Sequence, residues 1–291
     1  MTFELKTTHS KDGTKIAYYQ QPTFPRISLA TYLTAADVAS LAQPARTTPS
    51  RKKSKMLEAI HLATGARFIF GVSSGALVTL KAALAAPPSH ISRIAVFEPP
   101  WWPEADREAQ MAWIKRYHAE VDQGQLAEAA STAMLGAQMG PAFFQSKLFP
   151  RGILVLLTRL MMRFDKSVGM SHDQKTDNES TQQTPVFKDL IPTFKNDIAV
   201  ATEMLGERQL QALTAIEAKT LILGGSKSPP YLLRSVRELE KTISGARRVE
   251  LQGMDHGGTF NKAQHGSPEL FAEELKQFFS EGNGTPEVQG N

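Results

Sequence analysis

Five consecutive residues, Gly71-Val72-Ser73-Ser74-Gly75, constrain this chain more than any other feature. They sit where a short apolar run, Arg67-Phe68-Ile69-Phe70, meets a helical pattern, Ala76 to Ala86, which Pro87-Pro88 stops. The run reads as the end of a buried strand and the pattern as a buried helix. A serine at such a strand–turn–helix corner is forced into a strained backbone, and the spacing predicts small residues, the glycines, on both sides of it. The corner lifts the hydroxyl clear of the sheet, and the helix aims its positive N-terminal end at the same place.

The rest of the pattern alternates strands and helices. Phe3 to His9 and Lys15 to Tyr19 read as a hairpin joined by Lys11-Asp12-Gly13-Thr14. After Pro22 and Pro25 the reading stays open: Leu29 to Leu41 fits a helix, and Ile27 to Leu33 fits a strand equally well. Met56 to Ala63 is helical and ends at Gly65. Strands are predicted at Arg93 to Phe97, Thr220 to Gly224 and Arg248 to Leu251, with helices at 196–214, 230–243 and 268–279. This alternation implies an α/β fold, a mostly parallel sheet with helices on both faces.

Residues 104–165 break the alternation. They are helical in pattern and rich in Ala, Leu, Met and Gln. The expected organisation is therefore a core of 1–103 and 216–280 with a helical cap insertion at 104–215. Within the insertion, polar residues 167–184 read as a mobile loop, and 281–291 as a disordered tail. The apolar run Ile153 to Met162 reads as the inner face of a covering helix rather than a membrane anchor.

Composition excludes several classes. No cysteine is present, which removes disulfides, a thiol nucleophile and Cys-ligated metal sites. No stretch of 18 apolar residues suggests a membrane span. The start, Met1-Thr2-Phe3-Glu4-Leu5-Lys6, lacks the order of a signal peptide, so a cytoplasmic location is expected. Net charge is +4, with a pI near 9.2. The one dense basic cluster, Arg51-Lys52-Lys53-Ser54-Lys55, has no interleaved aromatics, so it reads as a solvated loop or helix start and not as a nucleic-acid patch. No cofactor or metal motif is recognisable.

A serine hydroxyl is a weak nucleophile until a base takes its proton, and imidazole suits that task near neutral pH. Of the seven histidines, His256 follows the last strand in Gly253-Met254-Asp255-His256-Gly257-Gly258, which puts it at the sheet's carboxyl edge with Ser73. A third group should orient the ring. The loop after the 220–224 strand, Gly225-Ser226-Lys227-Ser228-Pro229-Pro230, holds no carboxylate, whereas Glu98 ends the strand after the serine's helix and reaches the same edge. A strand-end carboxylate paired with a nearby arginine is the competing reading of Glu98. The Ser74 N–H is the natural first donor to an oxyanion; no Gly-rich stretch before residue 65 supplies a second. Trp101 and Trp102 are candidates for the wall of an apolar substrate pocket, with plain core packing as the alternative.

Three blocks resemble the α/β-hydrolase superfamily: Phe68 to Ala76 is similar to its nucleophile elbow, Ile94 to Pro100 to the following strand, and Thr220 to Gly225 running on to Met254-Asp255-His256-Gly257 to its final strand–helix–strand–histidine segment. Residues 66–280 fit the pattern. The resemblance implies a serine hydrolase with a helical cap, Ser73 as nucleophile and His256 as base. It places the acid usually after the 220–224 strand, where Ser226 or Ser228 stands, and in some members after the strand at 93–97, which favours Glu98. It also implies a shortened or divergent N-terminal segment, because residues 21–66 leave little room for the usual strands and helices and lack a His-Gly loop. The expected reaction is cleavage of an ester, lactone or thioester of an apolar small molecule. Two other readings remain: a binding protein on this fold without a complete oxyanion hole, and a lyase or cyclase that uses His256 without an acyl-serine. Neither substrate nor oligomeric state follows from the residues.

Overall fold

A computed structural model of the chain describes residues 4–9, 15–20, 49–102, 104–140, 142–146, 148–164, 187–204, 207–262 and 266–281. The turn at 11–14, the ambiguous stretch Ile27 to Leu41, the polar loop 167–184 and the tail from 282 lie outside the described residues.

Strands β1 (Glu4–His9) and β2 (Lys15–Gln20) pair antiparallel, from Glu4 opposite Gln20 to His9 opposite Lys15. Helix α1 (Pro49–Thr64) takes up the basic cluster as its first turns. Then follow β3 (Phe68–Val72), α2 (Ser74–Ala85) and β4 (Arg93–Phe97). A helical stretch intervenes, with α3 (Glu104–Asp122), α4 (Leu126–Gly136), α5 (Arg151–Phe164), α6 (Phe187–Leu190), α7 (Phe194–Glu203) and α8 (Glu207–Ala212). The chain returns through β5 (Lys219–Gly225), α9 (Pro230–Thr242), β6 (Arg247–Leu251) and α10 (Pro268–Ser280).

Among the described residues, β3, β4, β5 and β6 form one parallel sheet in that order. Every residue of β4 is buried, as expected for a central strand covered on both faces. Alternation decides which helix each side chain meets. Ala95, Phe97, Leu221 and Leu223 point to one face and pack with Phe271, Phe278 and Phe279 of α10. Ile94, Val96 and Ile222 alternate with them and point to the other, where α2 lies against β3 and β4 and α9 against β5 and β6. Each such side chain removed from water contributes about 1.5–3 kcal/mol. The end of α10 is fixed by Arg93, whose Nη1 donates to Phe278 O at 3.0 Å. Its guanidinium also donates to Glu281 O and lies 5.5 Å from the Phe278 ring centroid, a cation on a helix C-terminus.

The chain divides into two compact units. One holds the hairpin, the sheet and its helices; the other takes in Ala105–Ala199. The sequence reading carried the helical insertion to residue 215, but Val200 onward belongs to the sheet-containing unit, where Met204 and Leu213 are almost wholly buried.

The helical unit is tied together by Glu120 of α3. Its Oε1 accepts from Arg116 Nε and Arg151 Nη2, each at 2.8 Å, and its Oε2 from Thr132 Oγ1 at 2.5 Å. Burial pushes this carboxyl up, but the bonds from Thr132, Arg116 and Arg151 outweigh it and hold it below the ordinary glutamate value. Tyr117, fully buried, donates its hydroxyl to Ile191 O at 2.5 Å, and burial drives that phenol far up. The run Ile153 to Met162 does not present a single apolar face. Leu154, Val155 and Thr158 are buried, whereas Ile153, Leu156, Leu157, Leu160 and Met161 are exposed.

Candidate active site

The register of the sheet sets the site. Val72 of β3 stands opposite Phe97 of β4, and Phe97 opposite Leu223 of β5. The residues that follow, Ser73 and Glu98, therefore leave the same edge side by side. Each still makes one ladder bond: Ser73 N–H donates to Phe97 O at 2.9 Å, and Glu98 N–H to Leu223 O at 3.1 Å. Each then turns sharply into the left-handed region, with φ 53° at Ser73 and φ 45° at Glu98. Among the described residues, Gln138 is the only other non-glycine with positive φ. Such conformations cost about 1–3 kcal/mol each and persist where surrounding structure imposes them.

At Ser73 the cause is the close approach of strand and helix. A Cβ on Gly71 would lie 2.3 Å from Thr79 Oγ1, 2.6 Å from Gly75 O and 2.8 Å from Ala76 Cα, so only glycine allows α2 to start this near β3. Gly75 differs from the sequence expectation. A Cβ there meets nothing within 4 Å and its φ is not positive, so the corner needs one glycine, before the serine, not two.

His256 arrives from the other end of the chain. Asp255, its neighbour, makes no hydrogen bond to the ring; it caps the short turn His256–Thr259 by accepting from Gly257 N–H at 2.9 Å. The turn is tied to the end of β5: Lys227 N–H donates to Met254 O at 2.8 Å, and Met254 O sits 2.4 Å from where a Gly225 side chain would begin. Glycine at 225 is thus required by this close approach. The imidazole stacks on Phe97, centroids 6.0 Å apart and planes 15° from parallel.

These placements bring Ser73, His256 and Glu98 into one chain of hydrogen bonds. His256 Nε2 lies 3.2 Å from Ser73 Oγ, and Nδ1 lies 2.7 Å from Glu98 Oε2. Glu98 is wholly buried, and its other oxygen, Oε1, accepts from Gly225 N–H at 2.7 Å. A carboxylate accepts only, so Nδ1 carries the proton and Nε2 presents its lone pair to the serine hydroxyl. The alternative in which Glu98 pairs with an arginine finds no support, since its two carboxylate oxygens are engaged by His256 and Gly225.

The remaining candidates are placed as follows. Ser74 opens α2 and is half-buried. Trp101 and Trp102 are buried, at 3% and 4% exposure, and neither hydrogen-bonds to Ser73, Glu98 or His256. The Trp102 Nε1 has no hydrogen-bond partner among the described residues. Ser226 accepts from Gly253 N–H at 2.8 Å, and Ser228 is buried with its hydroxyl unpartnered among the described residues. Two contributors lie outside the sequence reading, the Gly225 amide and the Phe97 ring. A backbone donor has no residue signature, and only the Gly224-Gly225 pair at the strand end hints at a close approach there. Among the described residues no cluster of three or more metal-binding side chains occurs, and no helix is long and apolar enough to cross a membrane.

No protein-family model matches the sequence, and no curated protein matches it. Solved structures do. An alpha/beta hydrolase from Sphaerobacter thermophilus is 23% identical with TM-score 0.59, and the match covers 94% of this chain and 100% of that one. A hydrolase from Pseudomonas aeruginosa is 18% identical with TM-score 0.58, covering 95% and 98%. An esterase from Rhodococcus sp. is 15% identical with TM-score 0.56, covering 95% and 98%.

Proposed function

We propose, from the premise that this chain has the α/β-hydrolase fold, that it is a serine hydrolase cleaving an ester, lactone or thioester of an apolar small molecule through an acyl-serine. The observation that carries this reading is the continuous relay Ser73 Oγ–His256–Glu98, with spacings of 3.2 and 2.7 Å, on a corner where two of its three members are held at positive φ.

The chemistry follows from the atoms. As Ser73 Oγ attacks the substrate carbonyl carbon, its proton passes to His256 Nε2. The resulting imidazolium is stabilised by the buried Glu98 carboxylate, whose second oxygen the Gly225 amide keeps in place. Negative charge collects on the former carbonyl oxygen. The Ser74 N–H at the start of α2 is the proposed donor to it, aided by the helix's positive end. Collapse of the tetrahedral intermediate breaks the bond to the leaving alcohol or thiol, which takes the proton from Nε2. Water then repeats the sequence on the acyl-serine, releasing the acid and restoring Ser73. Trp101 and Trp102 are proposed to border the acyl pocket, and the helical unit that takes in Ala105–Ala199 to select substrate.

The relay with two strained members supports the hydrolase reading over the binding-only one, because binding alone does not need it. Incubation with a slowly deacylating p-nitrophenyl ester tests the proposal. The expected result is a stoichiometric burst of p-nitrophenol and a mass increase equal to the acyl group on the peptide containing Ser73. Turnover with the increase on another residue, or with none, overturns it.

A further inference from the structure

Helix α5 carries two apolar faces. It starts after Pro150, which fixes its first turn, and Leu- and Met-rich composition sustains it. On one side Leu154, Val155 and Thr158 are buried, beside α4. On the opposite side Ile153, Leu157, Leu160 and Phe164 recur at helical spacing, flanked by Leu156 and Met161, and all six are 43–73% exposed. The segment leading into the helix extends the patch, with Phe143 58% and Leu148 92% exposed. A helix apolar on both sides is built to be covered on both, and a patch of this extent exceeds the scattered apolar residues of an ordinary surface.

Charge decides among the possible occupants. Residues 146–166 contain Lys147, Arg151, Arg159, Arg163 and Lys166 against the single acid Asp165. Arg151 is engaged by Glu120 and Arg159 by Glu128, and the stretch remains net positive after those pairs. A second copy of the chain docked about a twofold axis would bring this excess against itself. An anionic lipid surface would receive the apolar side chains among its acyl chains and the basic ones among its headgroups, the pattern of a helix lying in a membrane interface.

We propose that the outward face of α5, with Phe143 and Leu148, is a docking surface for anionic lipid bilayers, holding the protein at the interface without spanning it. The test is flotation of the full-length protein with phosphatidylcholine vesicles, with and without added phosphatidylglycerol. The wild-type chain is expected to float with the anionic vesicles at low salt, and far less with phosphatidylcholine alone or at high salt. The double variant Leu157→Glu, Leu160→Glu alters two exposed positions and should keep the wild-type circular dichroism spectrum. It is expected to lose binding by about tenfold or more. Arg163→Glu should weaken binding to anionic vesicles only. Failure of the wild-type chain to float with anionic vesicles at low salt overturns the proposal, as does unchanged binding by the double variant. A wild-type dimer that the double variant makes monomeric assigns the face to a second copy and overturns it as well.

Discussion

The backbone N–H of Gly225 donates to Glu98 Oε1 at 2.7 Å, across the ends of two adjacent strands. The loop after β5 thus contributes an amide to the relay, and the carboxylate comes from the end of β4. The arrangement is self-consistent: with Oε1 held by the amide, Oε2 is left facing His256. A carboxylate taken out of water is costly unless both its oxygens find hydrogen-bond donors, as they do here.

Glu98→Gln keeps the shape and an oxygen for Gly225, but replaces the charge that holds the Nδ1 proton. The proposed mechanism predicts a fall in kcat of about 10³–10⁴-fold with little change in KM. Steady-state hydrolysis of a p-nitrophenyl ester, alongside an unchanged circular dichroism spectrum, measures it. A fall of less than about tenfold would assign Glu98 a structural role only.

The two glycines of the corner should respond in opposite ways. Gly71→Ala forces backbone atoms of α2 and β3 apart and is expected to destabilise the chain by more than about 1 kcal/mol, with loss of activity. Gly75→Ala enters open space in a helix and is expected to stabilise by about 0.5–1 kcal/mol. Urea denaturation of both variants provides the comparison.

Glu120 makes the helical unit sensitive to acid. Its folded pKa is depressed, so its contribution is fully present above the unfolded value of about 4.3 and is lost as pH falls through the lower folded value. Glu120→Gln should cost about 1–3 kcal/mol at neutral pH and remove that part of the acid dependence. Thermal melts of wild type and variant from neutral to acid pH test this; curves that stay parallel throughout would contradict it.

Glu238 of α9 has the opposite sign. Burial raises its pKa, Lys241 offsets this only in part, and Oε2 has no hydrogen-bond partner among the described residues. The penalty on its ionised form is absent below the unfolded value, grows as pH rises from there, and is fully present above the raised folded value. Glu238→Gln is expected to raise Tm at neutral pH, with the gain vanishing at acid pH.

Much of this was legible in the residues, for reasons that can be named. Ser73 is fixed by local chemistry, since strand, tight corner and helix follow one another within a few positions. Glu98 and His256 become legible only through topology, because alternating elements put the ends of consecutive parallel strands at one edge. The motif alone does not tell which glycine is required: that depends on what stands opposite, and Thr79 stands opposite Gly71 while a Cβ at Gly75 meets nothing within 4 Å. The second apolar face of α5 was also hidden, as an apolar run does not say how many sides are covered. The Gly225 amide and the Phe97 stack depend on register across strands far apart in sequence.

The central claim is that His256 activates the Ser73 hydroxyl for acyl transfer, and labelling with a fluorophosphonate probe tests it most directly. The account predicts one equivalent of probe on Ser73 in the wild-type chain, none in Ser73→Ala and much slower labelling in His256→Ala. Folded wild-type protein that takes up no probe, or Ser73→Ala that still takes it up, would contradict it.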